Sequence, residues 1–190
     1  MSEVSTVIKR EGNNVLIIMT INTGGKVREG LSELLDACLV AMGSAMISWL
    51  DEVSDGWGGI LFPNQYVIRN DVVGEGTVSV SGDRLTCTIS LRCDVLGANA
   101  CSEERINSLI NALSSALQDV VEGRLAGHVV NYGKKLVNIG EDVEVTLRGG
   151  GIVKGEAVGY GARGELVIAT RTGTVKVKPS KVARIKRLWP

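Results

Sequence analysis

Cysteine and histidine are the side chains that most often ligate metals or act as nucleophiles, and this chain of 190 residues has four cysteines and one histidine. The cysteines do not form the close pairs that hold zinc, and the histidine lies far from them in sequence. They are Cys38, Cys87, Cys93 and Cys101. We therefore predict no metal site, and we interpret Cys87 and Cys93 as reduced core residues of a cytoplasmic protein.

His128 has no cysteine or carboxylate at ligand spacing, so we predict a structural or surface role for it rather than a catalytic one. The N-terminus lacks a basic start followed by an apolar run, and we expect no apolar stretch long enough to cross a bilayer. Both observations favour a cytoplasmic protein without a membrane partner.

The formal net charge is zero, but it is unevenly distributed along the chain. From residue 141 onward, ten Lys and Arg residues stand against five Asp and Glu residues. A candidate surface for an anionic partner consists of Lys176, Lys178, Lys181, Arg184, Lys186 and Arg187. The alternative is a solvated barrel exterior. Because only Tyr160 and Trp189 could stack on bases in this region, nucleic acid is not the partner that we favour.

The elements that must position these side chains follow from the apolar pattern. A continuous apolar run at 15–21 predicts a strand covered on both faces, and apolar residues at helical spacing predict a helix from 31 to about 51. Alternation at 77–81 and 85–95, separated by Gly82 and Asp83, predicts an antiparallel hairpin. Ser102 is a good N-cap for a helix that Gly123 would end, and a short helical segment follows at 128–136.

The last fifty residues change to short strands separated by glycine turns. The predicted strands are 143–147, 152–159, 165–170, 174–178 and 182–188. This pattern is typical of a small closed barrel of the SH3-like kind. With a junction at Asn138-Ile139-Gly140, the sequence predicts an α+β domain at 1–138 and a barrel at 139–190.

Several segments in order resemble biotin protein ligases. The helix at 102–122, the segment 131–136 (Asn-Tyr-Gly-Lys-Lys-Leu) and the strands at 139–145, 155–159 and 164–168 resemble the C-terminal end of that family. Leu-Phe-Pro-Asn-Gln at 61–65 falls on its Lys-Trp-Pro-Asn-Asp motif, and 72–76 falls on the segment with its second lysine. The resemblance implies a mixed sheet with flanking helices before the barrel, and an enzyme that activates biotin with ATP and transfers it to a lysine of a carrier domain.

The resemblance also implies a ligand pocket and shows where the chain departs from the family. The pocket residues would be Phe62, Asn64, Gln65, Gly74 and Glu75. Leu61 replaces the first lysine, and Asp71 and Val72 stand where the second would be. Only about a dozen residues precede Val15, so we expect the N-terminal biotin-binding loop to be lacking. Adenylation needs cations to neutralise charge that develops on the phosphates.

We therefore expect a ligase-like protein without adenylation activity, which acts as a binding or assembly module and needs no cofactor. Its partner would be a second copy in a homodimer, a biotin carrier domain, or a separate ligase chain. The alternative is a divergent or split biotin/lipoate-protein ligase that activates biotin with ATP and Mg²⁺ and transfers it to a lysine of a carrier domain. A second alternative is a nucleic-acid-binding small barrel. Lys26 and Arg28 beside Gly24-Gly25 are either a displaced phosphate loop or a plain surface connection.

Overall fold

A computed structural model describes residues 4–23, 30–97 and 99–188 and contains two antiparallel sheets. The first sheet has the strand order β1-β2-β6-β5-β4-β3, and every neighbouring pair is antiparallel. Its strands are β1 (Val4–Glu11), β2 (Asn14–Asn22), β3 (Gly58–Leu61), β4 (Gln65–Ile68), β5 (Asp71–Ser81) and β6 (Arg84–Arg92). A single parallel bridge joins Ile60 to Leu136, so the mixed character that we predicted for the sheet is confined to that bridge.

Four helices accompany this sheet in the described residues. They are α1 (Leu31–Val53), α2 (Cys93–Leu96), α3 (Glu103–Val121) and α4 (Ala126–Lys134). The predicted cap of α3 is confirmed, because the Ser102 side chain accepts a hydrogen bond from the Arg105 amide at 3.4 Å. The predicted end is confirmed too, since Gly123 has a φ of 78° just after the helix.

The hairpin of β5 and β6 is also confirmed, with Ser81 opposite Arg84 across the turn. The second strand is shorter than we predicted. It ends at Arg92, and Cys93 begins the single helical turn α2, so Cys93 and Val95 do not lie on the apolar face of a strand. The chain leaves the sheet at the residue that is bonded to Cys101.

Strand β2 is buried on one face only, so the prediction of two covered faces is wrong. Val15, Ile17 and Met19 are buried, whereas the residues between them are only half-buried. Strand β1 covers one edge of β2, and it was not predicted at all. Nearly every residue of β1 is exposed, which leaves no apolar period in its sequence to detect.

The cysteines form one disulfide, between Cys93 and Cys101, while Cys38 and Cys87 are free and buried. The interpretation of Cys93 as a reduced core residue is therefore wrong, whereas Cys87 is a core residue as predicted. Arg10 donates two hydrogen bonds of 3.2 Å to the carbonyl oxygen of Cys101, which links the bond to strand β1. The cytoplasmic location stays a prediction.

We expect reduction of the disulfide to lower the free energy of unfolding by about 2–3 kcal/mol, because the bond restricts the unfolded chain over its loop. The loop is short, with a sequence separation of 8. Urea unfolding with and without dithiothreitol measures the effect, and the double variant Cys93→Ala/Cys101→Ala should not respond to the reductant. Four titratable thiols in the unreduced, unfolded protein would contradict the bond.

The second sheet is built from the last part of the chain, in the order β10-β9-β8-β7-β11. Its strands are β7 (Asp142–Leu147), β8 (Ile152–Tyr160), β9 (Leu166–Thr170), β10 (Gly173–Val177) and β11 (Val182–Arg187). All five predicted strands are present to within one residue at each end. A 3-10 helix, Pro179–Lys181, joins β10 to β11, and no ladder connects these two strands in the part of the chain that the structure describes.

Helix α1 contradicts the expectation that no apolar stretch is long enough to cross a bilayer. With 23 residues and a mean hydropathy of 1.4 in its most apolar window, it is long and apolar enough to cross a membrane. The core helix of a folded domain meets the same criteria, and 56% of that window is buried inside this fold. The length and composition of α1 are therefore weak evidence for a membrane span.

Candidate functional site

The first two turns of α1 hold the 3-10 helix of the barrel. The backbone amide of Ser180 donates a hydrogen bond of 2.7 Å to Asp36 Oδ1, and the Ser180 hydroxyl lies 3.4 Å from that of Ser32. Lys178 adds an ion pair of 3.1 Å with Glu33. These contacts fix the barrel beside the first sheet, and a cleft remains between the two.

The cleft has a volume of about 400 Å³. One wall comes from α1, β5 and the loop between β3 and β4, and the other comes from the 3-10 helix and β11. The polar and charged residues that line it are Asn64, Gln65, Glu75, Thr77, Arg148, Ser180 and Arg184. This volume and these groups suit a small polar ligand.

Four of the five predicted pocket residues meet in this cleft, namely Phe62, Asn64, Gln65 and Glu75. Phe62 is fully buried, so its ring belongs to the core behind the cleft rather than to an open surface. Gly74 does not line the cleft. A Cβ at Gly74 would lie 2.7 Å from the carbonyl oxygen of Ser90, so the glycine allows close approach of two strands.

Two hydrogen bonds, one buried and one partly buried, hold the loop between β3 and β4. The Phe62 amide donates a hydrogen bond of 2.7 Å to the side-chain oxygen of Asn138, which is fully buried in the segment before the barrel. The hydroxyl of Tyr132 donates a hydrogen bond of 2.7 Å to the Pro63 carbonyl oxygen. The loop is thus positioned by residues that lie about seventy positions later in the chain.

Asn64 is fixed on the opposite side of the loop by strand β5. Its side-chain amide donates a hydrogen bond of 2.6 Å to the Gly76 carbonyl oxygen, and the Gly76 amide donates one of 2.9 Å to the Asn64 carbonyl oxygen. The same side-chain nitrogen lies 3.4 Å from a carboxylate oxygen of Glu75. Asn64 and Glu75 therefore form one polar corner of the cleft.

Sequence reasoning missed the role of Arg148, which lines the opposite wall together with Arg184. Arg148 Nε donates a hydrogen bond of 3.0 Å to the Val182 carbonyl oxygen, which fixes the guanidinium group beside β11. In residues 4–23, 30–97 and 99–188, Arg184 and the terminal nitrogens of Arg148 have no hydrogen-bond or ion-pair partner. No local signal marks Arg148, because only the pairing of β7 with β11 brings it to the cleft.

Two of the six basic residues predicted as an anionic-partner surface form ion pairs with carboxylates, and the surface stays a prediction. Lys178 forms the ion pair with Glu33, and Arg187 forms one of 2.8 Å with Glu141, while Arg184 lines the cleft. The remaining exposed members of the set are Lys176, Lys181 and Lys186. The hydrogen bond from Lys154 lowers the pKa of the Glu144 carboxyl, and Lys186 and Arg184 both contribute to this shift, so they lie near the same carboxylate.

His128 lies outside the cleft, between three helices. Its Nδ1 is 3.1 Å from the Ser44 hydroxyl, and its Nε2 is 3.0 Å from a carboxylate oxygen of Asp119. The hydrogen bond from His128, followed by that from Arg124, holds the pKa of the Asp119 carboxyl below its ordinary value. The imidazole thus links α1, α3 and α4.

The structure leaves the possible phosphate loop undescribed and offers no candidate metal cluster in the described residues. Lys26 and Arg28, the possible phosphate loop, lie outside the described residues, as does Trp189. Within the described ranges, no group of three or more His, Cys, Asp or Glu side chains could hold a metal ion.

Asp36 gives the contact between α1 and the barrel a pH dependence. Burial raises the pKa of its carboxyl above the ordinary 3.8, although the hydrogen bond from Ser180 opposes the shift. The folded protein therefore holds this proton to a higher pH than the unfolded chain, and the free energy of unfolding should fall as the pH rises through that window. Asp36→Asn keeps an acceptor for the Ser180 amide but does not titrate, so its free energy of unfolding should lack this fall.

Urea unfolding of both proteins from about pH 3 to about pH 7 measures the difference. We expect the variant to gain stability relative to the unchanged protein as the pH rises. Parallel pH profiles would contradict the prediction, and Asp83→Asn, at an exposed turn, is the matched control.

No sequence model of a known family matches the chain, and no curated protein matches it. Solved structures do. Biotin protein ligase from Aquifex aeolicus without ligand superposes with a TM-score of 0.79 at 16% identity, over 97% of this chain and 88% of that one. The same enzyme in complex with biotin and ATP gives a TM-score of 0.74 at 17% identity, over 93% and 79%. Biotin protein ligase from Leishmania major in complex with biotin gives 0.51 at 14% identity, over 99% and 89%.

These likenesses extend over both sheets, because more than nine-tenths of the chain is covered in each comparison. At such low identity they establish the fold and leave the activity open. The chain therefore has the fold of the biotin protein ligases, an α+β domain followed by a small C-terminal β domain.

Proposed function

We propose that this chain is a binding module with the biotin protein ligase fold, that it does not form an acyl adenylate, and that its cleft takes a small anionic ligand. The observation that supports this proposal is the distribution of charge between the two walls of the cleft. The wall from the first sheet offers Asn64, Gln65 and Glu75, whereas the wall from the barrel offers two arginines with free donors.

Adenylation joins a carboxylate to the α-phosphate of ATP, and preorganised cations must neutralise the charge that develops there. Leu61, a half-buried residue of β3, stands where the resemblance implies a lysine, and half-buried Val72 stands near the second such position. Neither side chain can donate a hydrogen bond or carry charge. We therefore expect the wall from the first sheet to lack the cations that adenylation with ATP and Mg²⁺ would need.

An anion fits better as a bound ligand than as a reactant. Guanidinium groups bind carboxylates and phosphates through paired hydrogen bonds, and Arg148 is already oriented by its bond to Val182. Glu75 on the other wall would repel an anion that reaches across the cleft. The ligand would therefore place its charge at the barrel wall and its neutral part near Asn64 and Gln65.

The enzymatic half of the proposal is tested with biotin, labelled ATP, Mg²⁺ and a biotin carrier domain. We expect neither biotinyl adenylate nor a labelled carrier above the protein-free blank. Biotin protein ligase from Aquifex aeolicus is the positive control. Formation of the adenylate would overturn this half of the proposal.

The binding half is tested by calorimetric titration with biotin, AMP and inorganic pyrophosphate. We expect at least one of them to bind, and Arg148→Ala/Arg184→Ala to weaken its affinity about tenfold or more, because two charge-assisted hydrogen-bond donors are lost. Arg171→Ala, at the exposed turn between β9 and β10, is the matched control and should leave the affinity unchanged. Absence of heat with all three ligands would refute the anion site.

The second candidate is a divergent or split ligase, and the two cleft arginines are the feature that favours it. They would hold phosphates from the barrel side, and a second chain would supply the groups that the first sheet lacks. This candidate uses biotin and ATP with Mg²⁺. It predicts carrier labelling in the same assay when a partner ligase chain is added, at a rate that falls in Arg148→Ala/Arg184→Ala.

The assembly role is part of the proposal as well. Strand β1 is an edge strand with exposed Val7 and Ile8, and an edge of this kind can pair with a second copy. A homodimer through this edge, a carrier domain, or a ligase chain are the partners that we propose. Sedimentation velocity tests the first of them. The ion pairs of Lys178 with Glu33 and of Arg187 with Glu141 leave fewer cations for the nucleic-acid alternative.

A further inference from the structure

We propose that a second surface, around Trp57, binds a segment of a partner protein that presents a lysine or arginine beside an apolar side chain. This surface lies at the open end of the hairpin, where β3 begins and β4 ends. It encloses a cavity of about 320 Å³ lined by Val53, Asp55, Trp57, Ile68, Arg69, Asp71, Val95 and Leu96, with Ser54. We call it the Trp57 surface, and it shares no residue with the cleft between the sheet and the barrel.

Trp57 is held in place without being buried. Its side chain is 59% exposed, yet its carbonyl oxygen accepts a hydrogen bond of 3.3 Å from the Arg69 amide. The guanidinium carbon of Arg69 lies 5.2 Å from the ring centroid, which is cation–π geometry. Fixed tryptophan and arginine side chains are the residues that most often dominate binding at protein interfaces.

The rest of the surface provides an apolar floor. Val95 is 37% exposed, and Val53, Ile68 and Leu96 are half-buried beside it. Val95 and Leu96 belong to α2, whose first residue, Cys93, is bonded to Cys101. A partner side chain of aliphatic character can therefore bury apolar area here on binding.

The charge on the rim indicates the partner. Asp55 and Asp71 are exposed, and neither carboxylate has a hydrogen-bond or ion-pair partner in the described part of the chain. Arg69 is the one cation that lines the cavity among the described residues, so the surface is negative by one charge. Lysine and arginine fit both features, because their aliphatic stems pack on apolar area while their heads reach the carboxylates.

Two residues with a left-handed backbone conformation lie at this surface. Asp55 and Arg69 have φ angles of 52° and 59°, and they are the two non-glycine residues with positive φ in residues 4–23, 30–97 and 99–188. Such conformations are sparsely populated and are concentrated at binding and functional sites. Here both of them line one cavity.

The test is a selection from a random-peptide phage library on the immobilised protein, followed by affinity measurement of the enriched peptides by fluorescence anisotropy. We expect enriched sequences with a lysine or arginine next to a leucine, isoleucine, valine or aromatic residue. Trp57→Ala should abolish their binding. Asp55→Asn/Asp71→Asn should weaken it about threefold to tenfold, as expected for the loss of two exposed ion pairs.

Two controls keep the result specific. Asn tolerates the positive φ that Asp55 adopts, so the double variant Asp55→Asn/Asp71→Asn should fold. Asp83→Asn removes an exposed carboxylate elsewhere and should leave the peptide affinity unchanged. Arg148→Ala/Arg184→Ala should also leave it unchanged, which separates this inference from the proposed function.

Three outcomes would overturn the inference. The first is enrichment of acidic peptides, or of none. The second is enrichment of peptides whose binding does not depend on Trp57. The third is self-association in sedimentation velocity that Trp57→Ala abolishes, because a second copy of the chain would then occupy the surface.

Discussion

Replacing Tyr132 with alanine should lower the free energy of unfolding by about 3–5 kcal/mol, as expected for removing a large buried ring. Tyr132 on α4 is fully buried against α1, where a Cβ at Gly43 would lie 2.6 Å from the ring. Its hydroxyl holds the Pro63 carbonyl at the edge of the cleft. The alanine variant would therefore lose both the packing between the helices and the fixed position of the loop.

Tyr132→Phe separates these two contributions. It keeps the ring and loses only the hydrogen bond to Pro63, so we expect a loss of about 1 kcal/mol. Urea unfolding followed by tryptophan fluorescence measures both variants. Equal losses for alanine and phenylalanine would show that the hydroxyl, and not the packing of the ring, accounts for the role of Tyr132.

Gly155→Ala should lower the free energy of unfolding of the barrel by at least about 3 kcal/mol, which is more than most single substitutions cost. A Cβ at this position of β8 would overlap the backbone carbonyl of Ala169 in the neighbouring strand. Ala169 pairs with Glu156 across the β8–β9 ladder, so its carbonyl cannot move without breaking that pairing. The measurement is chemical unfolding, with amide NMR spectra to show whether the signals of the barrel are lost.

Gly159→Ala is the matched control in the same strand. A Cβ there would meet no atom within 4 Å, so we expect the free energy of unfolding to change by no more than about 1 kcal/mol. The direction should be towards higher stability, because glycine is the less favourable residue in a strand. If both glycine variants were equally stable, the close approach of β8 and β9 would be wrong.

Elements whose signals are local were predicted well from the sequence. The β5–β6 hairpin followed from alternation on both sides of Gly82, and the five barrel strands followed from short apolar runs between glycine turns. Helix α3 was bounded correctly by Ser102 and Gly123 because caps act within one helical turn.

The elements that could not be predicted from the sequence depend on contacts between residues that are distant in the chain. Strand β1 has no apolar period, and it becomes a strand because it pairs with β2. The disulfide needs the turn of α2 to bring Cys93 to Cys101, which no spacing rule reveals. In the cleft, Asn64 and Gln65 could be predicted from 61–65, and Arg184 was among the predicted basic residues. Arg148 could not be predicted, because it reaches the cleft only through the pairing of β7 with β11.

The two walls of the cleft come from parts of the chain that are far apart in sequence, since one wall is formed by residues within 35–78 and the other includes Arg184 of β11. During synthesis on the ribosome, the first sheet can form long before the strand that carries Arg184 has emerged. A ligand of this cleft therefore cannot guide the early steps of folding, and it can stabilise only the finished protein by mass action. In a cell, its concentration would raise the stability of the mature protein without acting on the early steps of folding.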